Sequence, residues 1–224
     1  MRLLFVNPNA TASMTDKIAA AARTAAGAGT RILALTNTAG PPSIQGEADG
    51  EAAVPGLLAL IGAHEGEADA FVIACFDDTG LDRARALTVK PVLGIGEAAM
   101  REAAAHGRFS VVTTLAVSVP VIVANVAAYG LGGPCARVRA SDVAVLDLEE
   151  EGSAAREKVA AEIGRALAED RPDAIVLGCA GMADLAGLYA ERFGLPVIDG
   201  VVAAVRRAER AAAAGSALPD LRAG

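Results

Sequence analysis

The sequence predicts an α/β fold of two pseudo-symmetric lobes, each a parallel sheet flanked by helices, with the functional site between them. Three observations carry this reading. Short runs that are apolar throughout alternate with longer amphipathic segments, as expected of strands covered by helices on both faces. The chain also repeats itself: Ala68-Asp69-Ala70-Phe71-Val72-Ile73-Ala74-Cys75 is matched by Pro172-Asp173-Ala174-Ile175-Val176-Leu177-Gly178-Cys179. Finally, Pro91-Val92-Leu93-Gly94 follows sixteen residues after Cys75, and Pro196-Val197-Ile198-Asp199 seventeen after Cys179.

Taken in order, Leu3 to Val6 is a short buried strand ending at Asn7-Pro8-Asn9, and Thr11 or Ser13 offers an N-cap to a helix over Met14 to Ala26. Arg31 to Leu35 is a second strand, and the Gly/Pro-rich stretch from Asn37 to Gly50 is loop. A helix over Ala53 to Gly62, a strand at Ala70 to Ala74, a helix over Gly80 to Leu87, a strand at Val92 to Ile95 and a helix over Glu97 to Ala105 complete the first lobe, residues 1–106. The cycle restarts with a strand at Phe109 to Val112 ending in Thr113-Thr114, and Ser118 opens a helix through Ala128. Val138 and the run Val143 to Leu146 read as strand, Ser153 to Glu169 as helix, Ala174 to Leu177 as strand, Ala183 to Phe193 as helix and Val197-Ile198 as strand, closing a second lobe over 107–200. Val201 to Ala214 is the last helix, with a short frayed tail beyond Gly215. Residues 201–224 are expected to pack back on the first lobe.

Bulk properties remove several function classes. A chain of 224 residues, 53% hydrophobic and 21% charged, has an ordinary globular composition and is long enough to bury a substantial core. The net charge of −7 argues against nucleic acid as a partner, since phosphate contacts need clustered Lys and Arg. No apolar run approaches the ~18 residues of a membrane span, and Met1-Arg2 leads into a strand without a cleavable signal pattern. The expectation is a cytoplasmic protein with three reduced thiols, no membrane association and an Ala-rich helical surface that favours a homo-oligomer.

The chemistry centres on Cys75 and Cys179. A lone strand cysteine is ordinarily a small buried hydrophobe, and Cys135, without a counterpart in the other half, is read that way. Cys75 and Cys179 occupy equivalent strand ends, where ligands bind in open parallel sheets. Redox pairing, metal binding and proton transfer could each use two thiols. Their separation of 104 residues is unlike a Cys-x-x-Cys redox motif, and the two histidines, His64 and His106, lie far from either cysteine in sequence. Proton transfer fits best: sulfurs each ~3.5 Å from opposite faces of one carbon would lie roughly 7 Å apart, too far for a disulfide. Asn7 and Asn9, ordinary turn formers by type, could equally hold a carbonyl or anionic oxygen, and Thr113-Thr114 is the equivalent pair in the second half. Gly40-Pro41-Pro42-Ser43-Ile44-Gln45-Gly46 reads as a cover that closes with Ile44, or else as a plain surface loop. Asp77 and Asp78 are read as capping the helix after Cys75, in an orienting role. Gly94-Ile95-Gly96 is too weak for a dinucleotide site.

The run Asn7-Pro8-Asn9, the Gly40 to Gly46 loop, Ala74-Cys75-Phe76-Asp77-Asp78-Thr79-Gly80-Leu81, Phe109-Ser110-Val111-Val112-Thr113-Thr114, Gly178-Cys179-Ala180-Gly181-Met182 and Val197-Ile198-Asp199-Gly200-Val201 together resemble the hydantoin racemase branch of the aspartate/glutamate racemase superfamily. The resemblance covers nearly the whole chain. It implies a cofactor-independent isomerase that needs neither metal nor pyridoxal group and acts on a small cyclic ureide, a 5-substituted hydantoin, with allantoin as a related substrate. The family's catalytic cysteines map onto Cys75 and Cys179. Its substrate contacts map onto Asn9, Ile44, Phe76, Gly80, Thr114 and the backbone at Ala180 and Gly181, with Thr113 or Thr114 as a donor to an enolate. Thr79 departs from the family's proline, and Gly96 stands where members vary. Other readings are an allantoin or other Asp/Glu-type racemase, a two-lobed small-molecule binding protein without turnover, and a redox protein. Against free aspartate or glutamate, the polar pairs expected after the cysteines are replaced here by Phe76-Asp77 and Ala180-Gly181.

Overall fold

A computed structural model describes residues 1–149 and 154–213. The first lobe is built from β1 (Arg2–Asn7), α1 (Ala12–Ala25), β2 (Arg31–Thr36), α2 (Glu47–Ala63), β3 (Ala70–Ile73), α3 (Leu81–Leu87), β4 (Val92–Gly94) and α4 (Ile95–Ala104). The second repeats the scheme with β5 (Phe109–Thr113), α5 (Val119–Ala128), β6 (Cys135–Ala140), α6 (Ala154–Glu169), β7 (Ala174–Gly178), α7 (Ala186–Phe193), β8 (Val197–Ile198) and α8 (Gly200–Ala213). Strand order is β2-β1-β3-β4 in one sheet and β6-β5-β7-β8 in the other, every pairing parallel. The two sheets share one topology, and Cys75 and Cys179 follow the equivalent central strands β3 and β7.

The aspartate shared by the two repeats has one structural task performed twice. Asp69 accepts the Arg2 N–H at 2.7 Å while its own N–H donates to the Arg2 carbonyl at 2.9 Å. Asp173 does the same with Arg108, at 2.8 and 2.6 Å. Each pair locks the entry of β3 or β7 to its neighbouring strand and satisfies backbone groups at the sheet's end.

The main core runs between the lobes. It joins Leu3, Phe5 and Val72 from the first sheet to Phe109, Val111 and Val176 from the second, through Met100 and Ala103 of α4 and Ala204 and Val205 of α8. Helices α4 and α8 pack together and α8 also lies on α1. The approach is close: a Cβ on Gly200 would stand 2.6 Å from the Ile95 carbonyl oxygen. Glu209 of α8 accepts the Gly27 N–H at 2.9 Å, tying the last helix to the first lobe.

Three sequence expectations shift. The stretch Asn37 to Gly50 is not loop throughout: α2 begins at Glu47, because Gly46 takes the left-handed φ of 92° that turns the chain, and Glu47 and Asp49 sit favourably in the helix's first turn. The run Val143 to Leu146 is not strand. Asp142, at φ 54°, breaks the extended path after β6, and Val145–Glu149 forms a 3₁₀ turn whose Val145 and Leu148 bury in the second lobe. Residues 180–185 form a 3₁₀ turn leading into α7, so helical structure starts directly after Cys179. The tail beyond Gly215 and the start of the helix at Ser153 lie outside the described residues. No helix among the described residues is long and apolar enough to cross a membrane.

Candidate active site

The strand ends converge on one cavity of about 360 Å³, partly open to solvent, lined by both Cys75 and Cys179. Neither is in a disulfide. Cys75 begins a tight turn in which the Asp78 N–H donates to the Cys75 carbonyl at 3.0 Å and Asp78 takes a left-handed φ of 49°. Cys179 is the cap residue of the 3₁₀ turn that follows it, whose first N–H groups have no acceptor within the turn. A Cβ on Gly181 would lie 3.6 Å from the Cys179 sulfur, so the small residue keeps that side of the thiol unobstructed.

Electrostatics separate Cys75 from an ordinary thiol. Burial pushes it well above the usual thiol range, the Asp77 carboxylate pushes further, and Cys179 adds to the rise. The Thr79 hydroxyl and the Asp77 N–H oppose the rise by facing the sulfur. Thr79 Oγ1 is buried without a hydrogen-bond partner of ordinary length, which leaves it as an available donor beside Cys75. Desolvation also raises the Asp77 carboxyl to about 7.

Asn9 enters the cavity with its amide already oriented. Its Oδ1 accepts from Asn7 Nδ2 at 2.9 Å and from the Thr11 N–H at 3.0 Å. Its Nδ2 then faces Met14 Sδ at 3.5 Å, a weak acceptor that a carbonyl oxygen would outcompete. Asn7 is itself held by Thr11 and Thr15, so the pair forms a rigid donor mount. Thr11 occupies the cap position of α1, but its hydroxyl donates to the Pro42 carbonyl at 2.6 Å rather than capping the helix. Together with the Ala10 N–H on the Pro41 carbonyl at 2.8 Å, this fastens the Gly40 to Gly46 loop over the strand end and buries Ile44 on the cavity wall.

The equivalent threonines divide their roles. Thr113 donates to the Gly178 carbonyl at 2.8 Å and packs so closely that a Cβ on Gly178 would stand 2.8 Å from its own Cβ. Thr113 therefore clamps β5 to β7, and Thr114 is left with a hydroxyl that makes no hydrogen bond among the described residues. Both line the cavity, as do Phe76 and Ala180. Gly80 does not. It lines a second, larger cavity between α2 and α5.

Two assignments change. Asp78 caps α4, not the helix after Cys75: its carboxylate accepts the Gly96 and Glu97 N–H groups at 2.9 and 2.7 Å and the Tyr129 hydroxyl at 2.6 Å. Ser118 does not cap its helix with its side chain but sits buried on the cavity wall. Sequence reasoning passed over Met14 and Val145 as cavity residues. Neither type signals chemistry, and only the strand and turn geometry brings them there.

Residues 3–208 match the family model described as Asp/Glu/Hydantoin racemase. A hydantoin racemase of Rhizobium meliloti is 48% identical over 221 residues, spanning 97% of this chain and 91% of the relative. A hydantoin racemase of Pseudomonas sp. (strain NS671) is 42% identical over 211 residues, spanning 93% and 85%. Among solved structures, an allantoin racemase from Klebsiella pneumoniae superposes with a TM-score of 0.93 at 45% identity, covering 96% of this chain and 89% of that one.

Proposed function

The chain belongs to the Asp/Glu/hydantoin racemase family, and from that premise we propose that it racemises 5-substituted hydantoins by moving one proton between Cys75 and Cys179 across C5 of the ring. The observation that carries the reading is the convergence of both cysteines, from equivalent strand ends, on one small cavity. The lobe division 1–106 and 107–200, with the last helix returning to the first lobe, belongs to the same proposal.

In this reading one sulfur is a thiolate and takes the C5 proton. The electron pair moves onto the adjacent ring carbonyl as an enolate, and the other sulfur, a thiol, delivers a proton to the opposite face. Charge develops on the carbonyl oxygen, so donors fixed beforehand stabilise the transition state more than the substrate. Asn9 Nδ2, the Thr114 hydroxyl and the N–H groups following Cys179 are the available donors. Their mounts are rigid, because Asn9 Oδ1 and Thr113 are already committed to protein partners. Burial and the Asp77 carboxylate favour the thiol form of Cys75, which donates the proton in one direction and takes it in the other.

Hydantoin and allantoin racemisation share this chemistry and differ only in the C5 substituent. The similarity to hydantoin racemases favours the former, and the 45% identical allantoin racemase keeps the ureido-substituted ring as the second reading.

The test is Cys75→Ser and Cys179→Ser, each assayed by optical rotation and by deuterium uptake at C5 from heavy water. Each variant should lose interconversion of enantiomers by roughly 10²–10⁴-fold, the range expected for removing a proton-transfer group. Undiminished racemisation by either would overturn the two-base reading.

A further inference from the structure

The cysteine cavity has a neighbour that the proton-transfer chemistry leaves unused. Between α2 and α5 lies a cavity of about 790 Å³, open on one side, walled by Val54 and Gly50 of α2, Val121 and Asn125 of α5, and Thr79 and Gly80 of the turn after Cys75. Asp77 lines both cavities and so stands between them. Resting on the hydantoin reading, we propose that this second cavity receives the C5 substituent and that Asp77 selects substituents ending in N–H donors.

Four observations support the assignment. The Asp77 main chain is pinned, its carbonyl accepting from Asn125 Nδ2 at 2.9 Å, while its carboxylate makes no hydrogen bond among the described residues. Its neighbour Asp78 spends both oxygens on three protein donors, so the sequence pair Asp77-Asp78 divides into one structural and one available carboxylate. Thr79, only 6% exposed, also lines the cavity with a hydroxyl that lacks an ordinary partner. The remaining ionisable groups on the wall, Glu47 and Glu51, are acidic as well, and the nearby Arg83 is held by Glu51 at 2.8 Å. A half-buried carboxylate without donors is poorly solvated and is relieved by a ligand that supplies them. Val54, Pro120 and Val121 give the methylene part of a substituent an apolar wall. A ureido or ammonium terminus fits this chemistry, and a carboxylate terminus is repelled by it.

The experiment measures kcat/KM for C5 deuterium exchange on 5-methylhydantoin, allantoin, 5-(4-aminobutyl)hydantoin and 5-(2-carboxyethyl)hydantoin. It compares wild type with Asp77→Asn, Gly50→Leu and Val121→Phe. Rates are read as ratios to 5-methylhydantoin, because Asp77 also acts on Cys75. Wild type should favour the ureido and aminobutyl substrates over the carboxyethyl one by about tenfold or more, at least the effect of a single pocket contact. Asp77→Asn should collapse the aminobutyl-to-carboxyethyl ratio. Gly50→Leu places bulk where a Cβ would meet Thr79 at an ordinary 3.9 Å, and it should lower the long-substituent ratios about tenfold. Val121→Phe fills the cavity from the opposite wall and should do the same, which guards against misfolding of either variant. Unchanged ratios in all three variants overturn the substituent site while leaving the racemase reading intact. Absence of exchange on every hydantoin in wild type overturns both. Of the two donor substrates, the one with the higher ratio identifies the terminus, ureido or ammonium.

Discussion

At Cys75, burial and three neighbouring groups contest one proton. Burial and the Asp77 carboxylate favour the thiol, and the Thr79 hydroxyl and the Asp77 N–H favour the thiolate. A thiol raised in this way ionises only in the alkaline range, so exchange in the direction that uses Cys75 as the base should increase with pH there. Thr79→Val removes a donor to the thiolate and should move this rise to higher pH by up to about one unit, whereas Thr79→Ser should restore it. The pH–rate profile, with the rate of Cys75 alkylation by iodoacetamide, is the check. Asp77→Asn should move the rise the other way. The two cysteines were legible in the sequence because the internal repeat aligned them. Thr79 was legible only as a departure from the family's proline. Its relation to Cys75 depends on the turn that Asp78 makes at a left-handed φ, and single-residue propensity does not specify that turn.

Among the elements, the edge strand β6 and the entry to α4 carry the heaviest polar burden. Arg139 of β6 donates to Asp170 at 2.6 Å, to Glu162 at 3.0 Å and to Glu169 at 2.6 Å, and Ser110 also donates to Asp170. Arg139, Glu162 and Asp170 are buried, and the arginine bridges the two carboxylates, each of which also meets a more exposed arginine, Arg165 or Arg137. Arg139→Met should destabilise the fold by about 3 kcal/mol, toward the low end for breaking a buried pair because Glu169 stays solvated. Urea unfolding measures it. At the entry to α4, Gly94 and Gly96 let Asp78 reach the helix start: a Cβ on Gly94 would stand 2.2 Å from Asp78 Oδ1, and one on Gly96 2.2 Å from the Phe76 carbonyl oxygen. This accounts for the Gly-x-Gly that was too weak for a nucleotide motif. The parallel strands were readable from their apolar runs, but the run at 143–146 was misread. Buried 3₁₀ turns and buried strands present the same apolar string, and only the break at Asp142 tells them apart.

For the molecule as a whole, the titrating groups pull stability in two directions. Asp77 and Asp78 are raised to about 7 and Asp199 to about 6, chiefly by burial. Between their unfolded value near 4 and these folded values, the native state holds more protons than the unfolded one. Their contribution is therefore full below pH 4 and declines as pH rises through 6 and 7. Asp170, lowered by Arg139, and Glu97, lowered by Arg101 and Arg85 against the effect of burial, behave oppositely, and their contribution is lost as pH falls through the acid range. Stability should peak near pH 5, with a urea midpoint at pH 5 above that at pH 8 and a smaller difference in Asp199→Asn. Exchange at C5 is then expected to rise on the alkaline side of the stability maximum. The pseudo-twofold arrangement was evident from the repeat, but the merging of the lobes was not, because it depends on which face of α4 meets which face of α8. That seam has a consequence for recombination. Leu3, Phe5, Phe109 and Val176 bury themselves through the same pair of helices, so a chimaera joining the front half of one relative to the back half of another inherits two mismatched sides of one core. A workable crossover has to carry α4, α8 and both sheet faces as a single unit of exchange.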